Sequence, residues 1–184
     1  MGAPAAPTFV ILETERLRLR PVRSDDLDPF LEIFGDPEVM RFVAWGRPYT
    51  RDEVEAMIER IGQRLRVDGF GQLAVELRGT SEVIGRVGLV PHDRTTWVAG
   101  SLAELGAQAE IELGWTIARR AWGLGYATEA ATAVRDACSF ERLVSIIQHG
   151  NEASVRVAEK LGAHRERDIV TAFGRDAWLY VLTS

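Results

Sequence analysis

The chain of 184 residues is 46% hydrophobic and 27% charged and has a formal net charge of −5, values ordinary for a globular protein with one sizeable core. Acidic and basic residues are interspersed, which excludes a nucleic-acid footprint and is mildly compatible with a cationic substrate. A single cysteine excludes an internal disulfide, no Cys/His cluster has metal-ligand spacing, and no apolar run is long enough to span a membrane.

Met1-Gly-Ala-Pro-Ala-Ala-Pro7 has neither a basic start nor an apolar core, so no secretory leader is expected. Ala6 stands where myristoylation of Gly2 needs Ser or Thr. The expectation is a cytoplasmic enzyme: one domain over residues 1–184, with 1–9 a loose tail and no metal.

In chain order, Arg16-Leu-Arg-Leu-Arg20 alternates charged and apolar residues and reads as a strand with one wet face, ended by Pro21. Ser24-Asp-Asp-Leu27 offers a cap and first-turn acids, after which Leu27, Phe30, Leu31 and Phe34 recur at helical spacing. Asp36-Pro37 opens a short segment, Glu38–Phe42. Thr50, with Asp52 and Glu53 behind it, caps a helix to about Leu65 that buries Val54, Met57, Ile58, Ile61 and Leu65.

Gln72–Leu77 and Val83–Val90 read as an antiparallel hairpin turning at Gly79–Ser81. Residues 91–108 read as a long loop anchored by Trp97, either a cover for an acceptor site or an insertion without function. A strand at Glu110–Ile117 then leads through two glycines into a helix from about Gly123 to Phe140, on whose apolar side Cys138 is a core thiol rather than a nucleophile. Leu143–Gln148 is an apolar strand. Asn151 caps a helix over Glu152–Leu161, which stops at Gly162. Strands at about His164–Ala172 and Asp176–Thr183 close the chain. The order β-α-α-β-β-β-α-β-α-β-β predicts a mixed α/β sheet with helices on its faces.

The segment Ile111–Ala130 carries most of the chemistry. A strand that turns on Gly123 and Gly125 into an alanine-rich helix aims unpaired N–H groups and the positive end of a helix dipole at one point, where a phosphate ester binds well. Without a Cβ, the two glycines allow close approach and positive φ. A Walker loop would need Gly-Lys followed by Ser or Thr, and this segment holds no lysine. A dinucleotide fingerprint would need a third glycine where Thr128 stands, in an N-terminal βαβ unit.

Trp122-Gly-Leu-Gly-Tyr-Ala127, followed by Thr128-Glu-Ala130, resembles the acetyl-CoA pyrophosphate loop of the GNAT N-acetyltransferases, in particular the branch that acetylates ribosomal-protein N-termini (RimJ/RimL-like). Four further stretches resemble that branch in order: Thr14-Glu-Arg-Leu-Arg-Leu-Arg-Pro21, Asp36-Pro-Glu-Val-Met40, Ile84-Gly-Arg-Val-Gly-Leu89 and Asn151-Glu-Ala-Ser-Val-Arg-Val-Ala-Glu-Lys-Leu-Gly162. Trp122 departs from the Arg or Gln that opens the general motif but is a variant familiar in this branch. The resemblance implies a GNAT fold: a mostly antiparallel sheet with one splayed parallel pair and helices on both faces.

It also implies acetyl-CoA as co-substrate and an amine acceptor, from a protein N-terminus to a polyamine, an amino acid or an antibiotic. The pantetheine arm would lie along Trp115, Thr116 and Ile117, a strand edge with free amide groups. An N–H near Ile117 would stabilise the oxyanion formed on attack. Gly123, Leu124, Gly125, Tyr126, Ala127 and Thr128 would hold the diphosphate, with Trp122 and Arg120 beside it; Arg119 and Arg120 read equally as a solvated pair. Asn151 would contact the pantetheine or merely cap its helix.

An amine attacks only when neutral. At pH 7 about 10% of an α-amine is neutral, against less than about 0.1% of a lysine amine, so a base matters. Alternation places Glu110, Glu112 and Gly114 on one strand face, and the resemblance also puts an acid at Glu112, the candidate base; its alternative is a carboxylate paired within the sheet. Ser154 is the expected proton donor near the leaving thiol, or else an ordinary first-turn residue, with Tyr180 and Tyr126 behind it. His92, His149 and His164 receive no role. The competing functions are a non-catalytic acyl-CoA sensor and a nucleotide-binding regulator. A homodimer is compatible with the sequence.

Overall fold

The computed structural model describes residues 11–183; the tail expected over residues 1–9 lies outside them. Eight strands form one sheet: β1 (Leu12–Glu13), β2 (Leu17–Pro21), β3 (Gln72–Leu77), β4 (Val83–Asp93), β5 (Ala109–Ile117), β6 (Arg142–Gln148), β7 (His164–Val170) and β8 (Asp176–Thr183). Their spatial order is β1-β2-β3-β4-β5-β6-β8-β7, and only β5 and β6 run parallel. Six helices accompany them: α1 (Leu27–Phe34), α2 (Pro37–Met40), α3 (Arg51–Asp68), α4 (Leu102–Leu105), α5 (Tyr126–Ala137) and α6 (Glu152–Lys160). This is the mixed, mostly antiparallel α/β sheet expected from the motifs.

Strand alternation sorts the core onto two faces. Leu73, Val75, Val87, Leu89, Ile111 and Leu113 bury against Ala130, Ala131 and Val134 of α5. The opposite face packs Ala74 against Phe30, Phe34, Met57 and Ile61 of α1 and α3. α6 covers Ile147 and Tyr180 through Val155 and Ala158.

The start of α1 differs from the sequence reading. A single 3-10 turn, Ser24–Asp26, precedes it, and Asp26 turns inward while its carboxylate accepts the Arg23 N–H at 2.8 Å. Asp26 takes both terminal nitrogens of Arg20 at 2.7 and 2.8 Å, while Glu76 takes Arg20 Nε at 2.7 Å. The Asp26 hydrogen bonds, followed by those to Glu76, hold the Arg20 pKa above its ordinary value despite burial. Removing Asp26 leaves Arg20 paired with Glu76 but strips its terminal nitrogens of their buried charge-assisted hydrogen bonds, at about 1.5–3 kcal/mol. Asp26→Ala is therefore expected to lose about that much in urea unfolding, with an unchanged slope.

Thr50 and Glu53 cap α3 reciprocally, Thr50 N–H donating to Glu53 at 2.8 Å and Glu53 N–H to Thr50 Oγ1 at 3.3 Å. The helix outruns its predicted end by three residues, stopping where Gly69 adopts φ 76°. Residues 91–108 are not a plain loop. The first three prolong β4, residues 102–105 form α4, and Trp97 buries against Val144, Ile169 and Leu179. Trp97 sits at φ 57°, a conformation a bulky side chain adopts only when held there.

Candidate active site

The parallel pair of strands is joined at one register position, Glu112 opposite Val144. Just beyond it, Ser145 Oγ donates to the Leu113 carbonyl at 2.7 Å. No further pair follows among the described residues, so the strands part toward Ile117.

Ala118 N–H bonds the Ile84 carbonyl at 2.7 Å, and Gly85 lies opposite Ile117. Antiparallel ladders alternate, so Thr116 and Gly114 turn their amides toward β4, while Trp115 and Ile117 turn theirs into the gap. One of those exposed groups is already used: Trp122 Nε1 donates to the Ile117 carbonyl at 2.7 Å. A tryptophan can therefore open this motif because its indole ties the loop to the strand end.

The gap opens on a cavity of about 540 Å³, within the usual range for small-molecule sites. Its walls include Trp115, Thr116, Ile117, Trp122, Gly123, Gly125, Tyr126, Ala127 and Thr128, with Asn151 and Ser154 across from them. Gly123 (φ 75°) and Gly125 (φ 83°) are both left-handed, and a Cβ built on Gly123 meets nothing within 4 Å. The space in front of the first α5 amides is open, as an anion site requires.

Two anticipated cofactor contacts are not in these walls. Arg120 is turned away, pairing with Glu82 at 2.7 Å and Glu32 at 3.5 Å. α1 and the β3–β4 turn bring these two carboxylates to it. The Leu124 side chain is exposed, and its carbonyl accepts from Arg16 Nη1 at 3.0 Å.

That contact belongs to a clamp the sequence reading missed. Glu129 in the first turn of α5 accepts from Thr14 Oγ1 at 2.6 Å, Arg16 N–H at 3.0 Å and Arg16 Nε at 2.7 Å. Arg16 also lies over the Tyr126 ring at 4.5 Å. The Thr14-Glu-Arg16 motif thus fixes the glycine turn from more than a hundred residues away.

Burial pushes the Glu129 pKa up, but the bonds from Thr14 and Arg16 outweigh it and hold the carboxyl below its ordinary 4.5. A depressed folded pKa stabilises above the unfolded value and is lost as pH falls through the folded one. Glu129→Gln is expected to cost about 1.5–3 kcal/mol at neutral pH. Its melting-temperature deficit against wild type should close only as the pH drops below about 4.5.

Asn151 caps α6, its Oδ1 accepting from Ser154 N–H at 3.2 Å, and both residues also face the cavity. Arg156 and Lys160, one turn apart on α6, add exposed positive charge to the same wall. The signal was a basic i,i+4 pair within the Asn151–Gly162 motif. Tyr180 is buried, which raises its pKa. Cys138 is half-buried against the core with its pKa raised by burial, a poor nucleophile.

Glu112 lies outside the cavity walls, on the α1/α3 face of the sheet. Its Oε2 is 2.8 Å from His92 Nε2, and His92 Nδ1 is 2.9 Å from the Trp97 carbonyl. A carbonyl only accepts, so Nδ1 carries a proton, and one further proton is shared between Nε2 and Glu112. Burial of the ring opposes its charge, but the charge and hydrogen bond of Glu112 and the Trp97 carbonyl more than compensate, raising the His92 pKa above 6.5. His92 is thus tied to Glu112 on one side and to the Trp97 carbonyl on the other.

The family profile described as an acetyltransferase (GNAT) domain matches residues 16–164. The uncharacterized protein YkkB of Bacillus subtilis is 31% identical over 86% of this chain and 87% of its own. An acetyltransferase from Agrobacterium tumefaciens superposes with a TM-score of 0.76 at 26% identity, covering 100% of this chain and 96% of that one. A RimL ribosomal L7/L12 α-N-protein acetyltransferase in complex with coenzyme A superposes at 0.71 with 14% identity, covering 94% and 97%; at that identity the likeness is one of fold.

Proposed function

The chain belongs to the GNAT acetyltransferase family, and from that premise we propose that it passes the acetyl group of acetyl-CoA directly to a primary amine held on the Glu112 face of the sheet. That it is an N-acetyltransferase follows from the family. The direct transfer, the place in the branch that acetylates ribosomal-protein N-termini and the residue roles are our reading. The acceptor is a protein N-terminus or a small-molecule amine.

One observation carries the reading: parallel strands meet at Glu112/Val144 and then separate, with free amides on one lip and a glycine-lined cavity behind. The N–H groups from Gly123 to Thr128 suit a diphosphate, because the loop is left-handed, open in front and braced by Arg16 and Glu129. Arg156 and Lys160 provide positive charge for further phosphate. Coenzyme A is held by the RimL structure of the same fold.

The acetyl thioester would pass through the strand gap, where the Ile117 N–H is directed at its carbonyl oxygen. Once the proton it shares with His92 has been released, Glu112 takes the proton of the attacking amine. Ser154, on the cavity wall, would return a proton to the departing thiolate. Because a thiol of pKa about 8.5 is a tolerable leaving group, that step helps less than the base does.

The test is calorimetric titration with acetyl-CoA, followed by thiol release across a broad amine panel. The expected result is saturable binding and thiol release matched by acetylated amine. Binding without acetylation of any amine would favour the acyl-CoA sensor, and tighter binding of ATP or NAD would favour the nucleotide regulator.

A further inference from the structure

Arg86 is a guanidinium without a carboxylate partner on the same sheet face as Glu112. On β4 it lies opposite Thr116, and alternation puts Arg86, Gly114 and Glu112 on one side. Among the described residues its hydrogen bonds all leave from Nη1, to Met57 Sδ at 3.1 Å and Gln72 Oε1 at 3.0 Å. It also sits over the Phe34 ring at 4.8 Å. Its Nε is buried with no partner, although the residue as a whole keeps some access to solvent. Burial pulls its pKa down to about 10, against the opposing charges of Tyr49 and Glu112. A buried cation held only by neutral groups is costly unless something supplies an anion.

Both side chains bend toward the same row of the sheet. Arg86 bonds Gln72, which lies opposite Gly88. Gly88 in turn lies opposite Gly114. The nearest atoms to a Cβ placed on Gly114 are those of the Glu112 carboxyl, at 3.6–3.8 Å. Gln72 and Gly114 are the ends of a row two strand spacings wide, about 10 Å, with the guanidinium bonded to the side chain from one end and the base beside the other.

We propose that Arg86 binds an oxyanion carried by the acceptor, so that the substrate is a small primary amine bearing a carboxylate or phosphate whose amine then reaches Glu112. This rests on the acetyl-transfer reading above. The overall charge of −5 pointed mildly to a cationic acceptor; Arg86 sets a positive charge on this face beside the Glu112 carboxylate, and an acceptor responds to the charges it meets locally. A polyamine or an uncharged amine leaves Arg86 unpaired.

The test compares kcat/KM for three amines of one skeleton, bearing a carboxylate, a phosphate or a neutral carboxamide, in wild type, Arg86→Met and Arg86→Lys. Wild type is expected to prefer one charged acceptor by roughly 10–100-fold, the range of a charge-assisted hydrogen bond. The charged arm that wins identifies the oxyanion. Arg86→Met should abolish the preference, chiefly through KM, and Arg86→Lys should keep part of it. Unchanged acetyl-CoA affinity and melting temperature in either variant would establish that the fold is intact. Equal rates for all three amines in wild type, or an equal loss for all three in Arg86→Met, would overturn the proposal. A calorimetric titration with the amine-free carboxylate and phosphate separates the two readings. If no amine is acetylated but an oxyanion binds wild type and not Arg86→Met, acetyl transfer falls and the oxyanion site stands.

Discussion

Replacing Gly123 and Gly125 together with valine is expected to weaken acetyl-CoA binding by at least about a hundredfold in a protein that still folds. Both glycines are left-handed, φ 75° and 83°, where an L-residue costs roughly 1–2 kcal/mol. The loop would relax away from this geometry, and the N–H groups it aims would lose their convergence. Each charge-assisted hydrogen bond to the diphosphate is worth about 1.5–3 kcal/mol, so losing two accounts for the fall. The core is not at stake, because Gly123 has open space around its Cβ position and Gly125 meets only the Arg16 guanidinium at 3.5 Å. Calorimetry reads the affinity, and circular dichroism reads the fold. Gly123→Ala, which adds one carbon in that open space, should show a smaller loss of the same kind.

Glu112→Gln is expected to lower kcat by about 10²–10⁴, the usual yield of a positioned base, while leaving acetyl-CoA affinity within about twofold. The cavity that would hold the coenzyme does not include Glu112 among its walls, which is why the two effects should separate. Equal loss of both would mean the carboxylate is structural. His92 gives this prediction a pH signature. With its pKa raised above 6.5 by Glu112, the pair gives up its shared proton only at higher pH. Since the deprotonated pair is the base, kcat should climb with pH through that raised value. In His92→Gln that rise should vanish, because the ring whose proton is lost there has been removed.

Much of the architecture was legible because it is local. Turn residues at Gly79–Ser81 and Gly174-Arg175 bounded β3 and β8 at their observed ends, and the Thr50/Glu53 pair announced the capping box. The glycine turn was legible because few arrangements need two glycines between a strand and a helix. β4 was read three residues short because Pro91 looks like a stop. The structure accepts it because the last β3–β4 pair is Gln72–Gly88, so the proline nitrogen faces away from β5 with no strand to bond. That extension is what carries His92 to Glu112.

The rest of the site depends on register and on distant contacts, which leave no periodic trace. Glu129 meets Thr14 and Arg16 across more than a hundred residues. Arg120 sits beside the motif, and topology brings Glu82 and Glu32 to it, which adjacency in sequence does not show. Arg86 was visible within Ile84-Gly-Arg-Val-Gly-Leu89 only as a motif letter. Its lack of a counter-charge emerges once α1 and α3 close over it.

The most direct measurement is a crystal structure of the protein with acetyl-CoA. The account predicts the diphosphate at about 3 Å from the N–H groups between Gly123 and Thr128. It also predicts the pantetheine alongside Trp115 and Ile117, with the acetyl carbon emerging between β5 and β6 on the Glu112 side. A diphosphate bound away from the glycine turn, or an acetyl group directed away from the strand gap, would contradict it.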